Sequence, residues 1–369
     1  MEHKRKGAAS RLDPYLTAFV IVALTIGFLV IISSTRTIIG SSRFIIVQGA
    51  AVMMGIVAIY TIMRIDYDYI GQLASFIFVF NILVLLLVLF IGQGEEVGTK
   101  GWIRIGFVGI QPAEIVKIGF IITFAKHIDS IYDELNQPRN IVLLLLHGGV
   151  IIGLVLLQPD FGTAMVFLTI MLGMLFIAGI NWRYIAAAAG TLAVAAPIAW
   201  FFVLKDFQKE RFFAFLNPEA DPLGYGYHVL QSKIAIGSGK ILGRGLFGGV
   251  QTQLNYLPEK QTDFVYAVIG EELGFWGSIL VLGILVAIVS RCFYAGKNSR
   301  DVFGELLCAG VGFMFLFHVV ENIGMCIGLA PVTGIPLPFI SYGGSNMLTS
   351  MMGIALVMNV RSRRKKINF

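Results

Sequence analysis

Ten long apolar segments constrain this chain of 369 residues more than any other feature of its sequence. Each holds about 20 mostly apolar residues, which is the length that a helix needs to cross a bilayer. A membrane β-barrel would instead show short segments in which apolar and polar residues alternate. We therefore predict an all-α polytopic membrane protein with about ten transmembrane helices, over residues 14–33, 43–63, 69–92, 111–128, 140–158, 162–180, 183–204, 264–290, 302–328 and 344–360.

The composition excludes the soluble alternatives. Apolar and aromatic residues make up 57% of the chain and charged residues only 14%. A soluble protein of this length could not keep so much apolar surface away from water. The three cysteines, Cys292, Cys308 and Cys326, and the five scattered histidines show no metal-ligand spacing. The sequence therefore indicates neither a disulfide scaffold nor a zinc protein.

Lysine and arginine residues predict the orientation. If the N-terminus is cytoplasmic, sixteen of the 28 fall on the cytoplasmic side and five in short outer segments. Because cytoplasmic loops are enriched in basic residues, this distribution predicts that both termini are cytoplasmic, including the basic tail 361–369. The net charge of +6 is then explained by topology and contact with anionic membrane lipid, and nucleic acid is not an expected partner.

One integral membrane domain, residues 1–369, is the expected organisation. The longest connection, residues 205–263, would form a large extracytoplasmic loop between spans seven and eight. A loop of this length is usually functional. Within it, Tyr227–Ile236 has apolar residues at helical spacing, a pattern compatible with a helix that lies in the membrane interface.

Glu114 and Lys117 are charged residues inside a predicted span, where each charge costs about 2.5–3.5 kcal/mol on insertion scales. Their spacing of three places them on one face of a helix, so they can pair. Two interpretations remain open: a structural ion pair between spans, or the wall of a polar cavity in which Lys117 faces an anionic group. His318 and Glu321 have the same spacing, and the same kind of pairing is expected there.

Asp263 stands where the long loop enters span eight. An aspartate at this place suits the N-cap of a helix, since it accepts bonds from unpaired backbone N–H groups. The same position would also direct a carboxylate to the outer mouth of the bundle, as a catalytic base requires. Glu271 would share the face of Asp263 and Glu272 would not, although packing between spans explains both equally well.

Four further cations, Arg43, Lys100, Arg104 and Arg244, are predicted to lie on the outer side. Snorkelling of the side chain to lipid headgroups explains Arg43 and Arg104 without any further role. An anionic substrate at the same surface would also need positive charge from residues of this kind.

Glycines occur in several spans, among them Gly27, Gly55, Gly71 and Gly119. They could leave a groove for a lipid tail. Small residues equally allow helices to pack closely, and close packing is the favoured interpretation for any single glycine.

Four motifs together resemble one known family. They are QPAEIVK (111–117), QPDFGTA (158–164), LPEKQTDFVYAVIGEELG (257–274) and PLPFISYGGS (336–345). In this order they resemble the SEDS family of peptidoglycan glycosyltransferases (FtsW, RodA and SpoVE), over essentially the whole chain. Residues 234–239 and 249–254 resemble the RodA branch more than the FtsW branch.

The resemblance implies an enzyme that polymerises lipid II into β-1,4-linked glycan strands at the outer face of the bacterial cytoplasmic membrane, during cell elongation. It also implies a partner, a class B penicillin-binding protein that acts as transpeptidase. Asp263 matches the aspartate that the family needs for polymerisation, and Glu114 and Lys117 match its QPxE..K motif. Lys100 stands one position before the place where RodA relatives often carry arginine, so its role is a departure from the family pattern.

The implied reaction releases a pyrophosphate, which needs positive charge nearby. The expected substrate-binding residues are Glu114 and the outward cations Lys117, Arg43, Lys100, Arg104 and Arg244. A divalent cation, Mg²⁺ or Mn²⁺, could join Asp263 or Glu114.

Two other classes of function also fit a polytopic chain with buried charges. A lipid-linked precursor flippase or transporter would be expected to have two similar halves and a polar site at mid-depth. A membrane scaffold for cell-wall partners would lack catalysis altogether. The polar residues described above are predicted near the outer mouth, and no similarity between halves is evident in the sequence.

Overall fold

The computed structural model describes residues 13–93, 100–105, 108–202, 206–220 and 224–363. Its α-helices are α1 (Pro14–Thr35), α2 (Ser42–Arg64), α3 (Tyr67–Gln72), α4 (Ala74–Ile91), α5 (Pro112–Ser130), α6 (Pro138–Leu157), α7 (Phe161–Ile177), α8 (Trp182–Phe202), α9 (Asp206–Leu216), α10 (Tyr225–Gly239), α11 (Val250–Gln253), α12 (Val265–Lys297), α13 (Val302–Ile327) and α14 (Gly344–Ser362). Short 3-10 helices cover Tyr132–Glu134 and Pro218–Ala220. The strands β1 (Ile103–Ile105) and β2 (Val108–Ile110) form an antiparallel pair between α4 and α5.

Each of the ten predicted spans overlaps one or two helices in the part of the chain that the structure describes. Among the described residues, six helices are long and apolar enough to cross a membrane: α1, α2, α4, α6, α12 and α13. The predicted third span, 69–92, is divided in the structure, because α3 ends at Gln72 and α4 begins at Ala74. The all-α polytopic architecture is therefore confirmed.

Asp13 connects three helix ends at one end of the bundle. As the N-cap of α1, its carboxylate accepts bonds from Tyr15 N at 3.1 Å and Leu16 N at 3.4 Å. The same carboxylate pairs with Arg291 near the end of α12, at 2.6 Å, and with Arg361 in α14. Since the carboxylate is fully buried, these contacts satisfy a charge that would otherwise be costly.

Helix α12 is not the continuous span that the sequence predicts for 264–290. Gly274 has φ 67° and ψ −162°, a left-handed conformation that favours glycine. The Tyr266 hydroxyl donates to the Ser278 carbonyl at 3.3 Å, although a continuous helix would separate these residues by about 18 Å. The chain therefore bends sharply at Gly274, and residues 265–273 form a separate helical segment folded toward 275–297.

The predicted loop 205–263 contains a helix that is packed within the protein. Val229, Ser232 and Ala235 in α10 are fully buried. The Ser232 hydroxyl donates to the Cys326 carbonyl at the end of α13, at 2.7 Å. The helix that the spacing of Tyr227–Ile236 predicts is present, and its buried face packs against α12 and α13. Its location in the membrane interface stays a prediction.

The connection between α13 and α14, residues 329–343, is irregular and partly buried, and we call it the strap. Irregular backbone at membrane depth is tolerated only where protein or a water-lined cavity covers it. Gly27 in α1 makes close cover possible, because a Cβ there would lie 2.6 Å from the Phe339 carbonyl oxygen. Close packing is thus confirmed for Gly27, and side chains likewise lie against Gly55, Gly71 and Gly119.

Gly27→Ala should destabilise the protein, because the new methyl group would push the strap backbone away from α1. Overpacking of this kind typically costs about 1–3 kcal/mol. Gly49→Ala in α2 is the matched control, since no atom lies within 4 Å of a Cβ there. Thermal unfolding in detergent should show a lower midpoint for Gly27→Ala than for Gly49→Ala, and equal midpoints would contradict the packing described.

Candidate active site

Glu114, Lys117 and His318 form a buried polar chain between α5 and α13. Lys117 Nζ lies 2.8 Å from Glu114 Oε2 and 3.0 Å from His318 Nε2. His318 Nδ1 lies 3.0 Å from the carbonyl oxygen of Pro336 in the strap. Because a carbonyl only accepts, Nδ1 carries the proton and Nε2 accepts from the Lys117 ammonium. The ion pair that the spacing predicts is confirmed, and the pair is almost completely buried.

The sequence spacing was misleading for His318. It was predicted to pair with Glu321, but Glu321 Oε1 instead accepts a bond from the Thr333 hydroxyl at 2.9 Å. The reason is geometric: His318 faces α5, while the Glu321 carboxylate is directed to the strap. No local signal in the sequence reports that choice, since it depends on which helix packs against α13.

A narrow cleft lies beside the ion pair. Its walls are formed by Glu114, Lys117, Met314, Phe315, His318, Pro338, Asn346, Thr349 and Ser350. Asn346 Nδ2 and Thr349 Oγ1 are buried without a hydrogen-bond partner. Such groups are rare in folded proteins because their desolvation is uncompensated. Sequence reasoning missed both residues, which lie in the apolar run of α14.

Asp263 lies in a turn, residues 259–263, immediately before α12. The N-cap residue of α12 is Phe264, so the interpretation of Asp263 as the N-cap is wrong. The amide groups of Thr262 and Asp263 both donate to the Glu259 carbonyl at 3.1 Å. Asp263 is partly exposed, and Gly334 of the strap lies beside it, since a Cβ there would be 3.2 Å from Asp263 Oδ2.

The Asp263 turn and the ion pair are connected through α13. The Asn322 side chain donates to the Asp263 carbonyl and to the Ile335 carbonyl, both at 2.8 Å. Asn322 stands one helical turn from His318, which is about 6 Å along the helix axis. The structure therefore brings Asp263, Glu114 and Lys117 into one region.

Glu271 and Glu272 do not extend the site toward Asp263. The Glu271 carboxylate accepts bonds from Gln251 N at 2.8 Å and from Thr252 N at 3.0 Å, and so holds the start of α11. Glu272 Oε1 accepts from the Ser33 hydroxyl of α1 at 2.5 Å. Packing between segments, one of the two interpretations of these residues, accounts for both.

Lys260, which was not identified from the sequence, fixes the Asp263 turn to three neighbouring groups. Its ammonium donates to the Thr252 carbonyl at 2.5 Å, to Asn255 Oδ1 at 2.7 Å and to the Thr37 hydroxyl at 3.2 Å. Burial lowers the pKa of Lys260 to about 8, so it remains mostly protonated at neutral pH. A lysine three residues before Asp263, within LPEKQTDF, is the signal that could have identified it.

Arg43 lies on the rim of this region. Its guanidinium is 5.0 Å from the centre of the Phe44 ring, which in turn contacts the Tyr342 ring at 4.9 Å. Tyr342 N donates to the Gln261 carbonyl of the Asp263 turn at 2.8 Å. Arg43 is therefore an exposed cation near the turn, as an anion-binding role requires.

Lys100 and Arg104 lie on the connection that carries β1 and β2. Lys100 N donates to the Gln158 carbonyl at 3.2 Å, and Arg104 pairs with Gly109 across the strands. Both residues are exposed. Their contact with substrate stays a prediction.

Arg244 stands apart from Asp263. Its amide donates to the Glu271 carbonyl at 3.0 Å, and its side chain donates to Ser238 Oγ at 3.1 Å. Glu271 follows Asp263 by eight residues, which is about 12 Å along a helix. The structure therefore does not place Arg244 against Asp263, and its role in substrate binding stays a prediction.

The four motifs meet at the same place. Gln111 Nε2 donates to Asp160 Oδ2 at 2.8 Å, which joins QPAEIVK to QPDFGTA. Gln111 N donates to Ser345 Oγ at 3.1 Å, which joins the first motif to PLPFISYGGS. The Ser341 hydroxyl of that motif donates to the Thr262 carbonyl at 2.6 Å, beside Asp263. Residues far apart in the sequence thus build one polar site.

The described residues do not offer a divalent-cation cage. No group of three or more His, Cys, Asp or Glu side chains among them is placed to hold a metal ion. The Glu114 carboxylate is already paired with Lys117 at 2.8 Å. A Mg²⁺ or Mn²⁺ ion at Asp263 or Glu114 stays a prediction, since Mg²⁺ is often held by only one or two carboxylates together with substrate phosphates.

Lys117→Met should strongly destabilise the protein, because it leaves the Glu114 charge buried without its partner. Removing one member of a buried pair costs about 3–5 kcal/mol, and Glu114→Gln in the same chain should restore much of the loss. Lys126→Met is the matched control, since the Lys126–Asp129 pair has the same spacing but is 41% and 24% exposed. It should cost less than about 1 kcal/mol. Equal losses of unfolding free energy for Lys117→Met and Lys126→Met would contradict the described burial.

Comparison with known proteins agrees with the motifs. The family model described as "Cell cycle protein", for FtsW, RodA and SpoVE, matches residues 14–366. The peptidoglycan glycosyltransferase MrdB of Escherichia coli (strain K12) is 35% identical over 358 residues, which cover 97% of this chain and 95% of MrdB.

Solved structures share the fold. A chain of a peptidoglycan synthase complex that coordinates polymerisation and crosslinking is 28% identical, with a TM-score of 0.80 over 95% of this chain and 97% of that one. The rod shape determining protein RodA of Thermus thermophilus is 25% identical, with a TM-score of 0.72 over 96% of this chain and 98% of RodA. The chain therefore belongs to the FtsW/RodA/SpoVE (SEDS) family of multi-pass membrane proteins, as its four motifs predict.

Proposed function

We propose that this protein is a peptidoglycan glycosyltransferase that polymerises lipid II into β-1,4-linked glycan strands. The observation that carries the proposal is a partly exposed carboxylate, Asp263, held where the four family motifs meet. The relative MrdB is named a peptidoglycan glycosyltransferase, which supports the same activity here. The name of the relative RodA, a rod shape determining protein, supports a role in cell elongation.

The reaction we propose is one direct displacement at the anomeric carbon. Asp263 takes the proton from the 4-hydroxyl of the acceptor sugar, and that oxygen forms the new bond to the anomeric carbon of the donor. The bond from that carbon to the pyrophosphate oxygen breaks, and the pyrophosphate leaves with the electron pair. One displacement inverts the α-linked donor into a β-linked product, so a single base is sufficient. Pyrophosphate is a stable leaving group, and no general acid is required.

Positive charge and hydrogen-bond donors would stabilise the leaving pyrophosphate. Arg43 is exposed on the rim and suits direct contact with an anion. Lys117 is balanced by Glu114, so it would act as a fixed dipole within the cleft rather than as a free charge. Lys100, Arg104 and Arg244 stay predicted contacts of the longer substrate, and a divalent cation would enter with the pyrophosphate as part of the substrate.

The proposed setting is the bacterial cytoplasmic membrane, with Asp263 on the outer side and both termini in the cytoplasm. Arg291, Arg300 and Arg361 lie near the ends of α12, α13 and α14 that are distant from Asp263, which supports this orientation. Exposed apolar side chains on α2 and α4 suit contact with membrane lipid and with the polyprenyl tail of lipid II. The complex that coordinates polymerisation and crosslinking supports a class B penicillin-binding protein as partner.

Asp263→Asn should stop polymer growth while substrate still binds, because the amide cannot take the acceptor proton. Losing a positioned general base typically lowers the rate by about 10²–10⁴-fold. Purified variants should be tested on labelled lipid II with the partner transpeptidase added, together with a binding measurement for lipid II. Asp133→Asn, which removes an exposed carboxylate in Tyr132–Glu134, is the control and should keep the full rate. Long glycan at the normal rate from folded Asp263→Asn protein would show that another group is the base.

A further inference from the structure

Three consecutive backbone carbonyls of the Asp263 turn, those of residues 261–263, are each held by a donor from another segment. Tyr342 N donates to the carbonyl of residue 261 at 2.8 Å. The Ser341 hydroxyl donates to the carbonyl of residue 262 at 2.6 Å, and Asn322 Nδ2 donates to that of Asp263 at 2.8 Å. Surface turns usually leave such carbonyls to water. This turn is instead fixed residue by residue against the strap and α13.

The donors are themselves fixed. Ser341 is fully buried, and its hydroxyl oxygen accepts a bond from Leu337 N at 2.8 Å, which leaves the hydroxyl proton directed at the turn. Gln48 in α2 donates to the Ser341 carbonyl at 3.2 Å and accepts from Gly343 N at 3.2 Å. The second N–H of the Asn322 amide donates to the Ile335 carbonyl of the strap. These hydrogen bonds therefore form a continuous chain from α2 through the strap to the Asp263 turn.

We propose that Asn322 and Ser341 are positioning residues, which set the place of the Asp263 carboxylate by holding the backbone that carries it. The inference rests on the proposed function, because it assigns these residues to the base of that reaction. Gly334 limits the carboxylate on its other side, where a Cβ would lie 3.2 Å from Asp263 Oδ2. A base displaced by about 1 Å can lose 10²-fold in rate, so backbone contacts of this kind control turnover.

Asn322 and Ser341 contact backbone atoms of the turn, which suits residues that position a base. Hydrogen bonds donated to a carboxylate stabilise its charged form and weaken it as a base. Asn322 and Ser341 are neutral and donate to backbone carbonyls, so they fix the position of Asp263 without stabilising the charged form of its carboxylate.

Two variants and a matched control test the inference. Asn322→Asp keeps the shape of the side chain but removes the donor to two carbonyls, and Ser341→Ala removes a single oxygen atom. Asn359→Asp is the control, because the buried Asn359 amide also donates to two carbonyls, those of Ile62 and Ile65, near the opposite end of α14. Each variant would be purified at full length with its partner transpeptidase and assayed for kcat and KM with labelled lipid II, alongside thermal unfolding.

We expect kcat to fall at least about 10-fold in Asn322→Asp and several-fold in Ser341→Ala, with KM for lipid II within about twofold of wild type. Ser341→Thr, which keeps the hydroxyl, should recover kcat. Asn359→Asp should keep kcat, because it removes donors to carbonyls that lie outside the Asp263 turn.

The outcomes separate the two proposals. A folded wild type that makes no glycan overturns the proposed function. If the wild type is active, two results would overturn the positioning role. One is that both variants keep the wild-type kcat, and the other is that Asn359→Asp loses as much kcat as Asn322→Asp.

Discussion

The cost of burying an irregular backbone among membrane helices governs this structure. The strap between α13 and α14 is not a regular helix. Ile340 N and Ser341 N donate to the Leu337 carbonyl, and several other polar groups of the strap bind partners from elsewhere. His318 and Asn322 of α13 bind the carbonyls of Pro336 and Ile335, and Gln48 of α2 binds the Ser341 carbonyl and the Gly343 amide. Two of these residues also bind the site: Asn322 donates to the Asp263 carbonyl, and His318 accepts from Lys117 of the Glu114–Lys117 pair. The polar site is thus a consequence of how the backbone polar groups of the strap find hydrogen-bond partners.

The carboxylates of Glu114 and Asp263 have different surroundings, which suit the different roles proposed for them. Glu114 is buried beside Lys117, so its charge is balanced and unavailable to a substrate proton. Asp263 is partly exposed, and the neutral donors Asn322 and Ser341 hold the backbone of its turn. This division matches a reaction that needs one accessible base and a fixed polar wall beside it.

The sequence predicts the parts of this structure that depend on local pattern. Apolar runs gave the ten spans, and the spacing of three gave the Glu114–Lys117 pair, because both are local. The break of α12 at Gly274, the burial of α10 and the contact of His318 with Lys117 depend on which segments pack together, so no local pattern reports them. The N-cap interpretation of Asp263 failed for the same reason: distant donors hold that turn, and α12 begins two residues later.

Incubation of the purified full-length protein with labelled lipid II, with and without a class B penicillin-binding protein, tests the central claim most directly. Detergent samples report glycan synthesis, and proteoliposomes report movement of the labelled lipid between leaflets. A polymerase with its base in an outward polar site predicts long glycan chains. Transfer of lipid II between leaflets without glycan, or neither product in the presence of the partner, would contradict the enzymatic account.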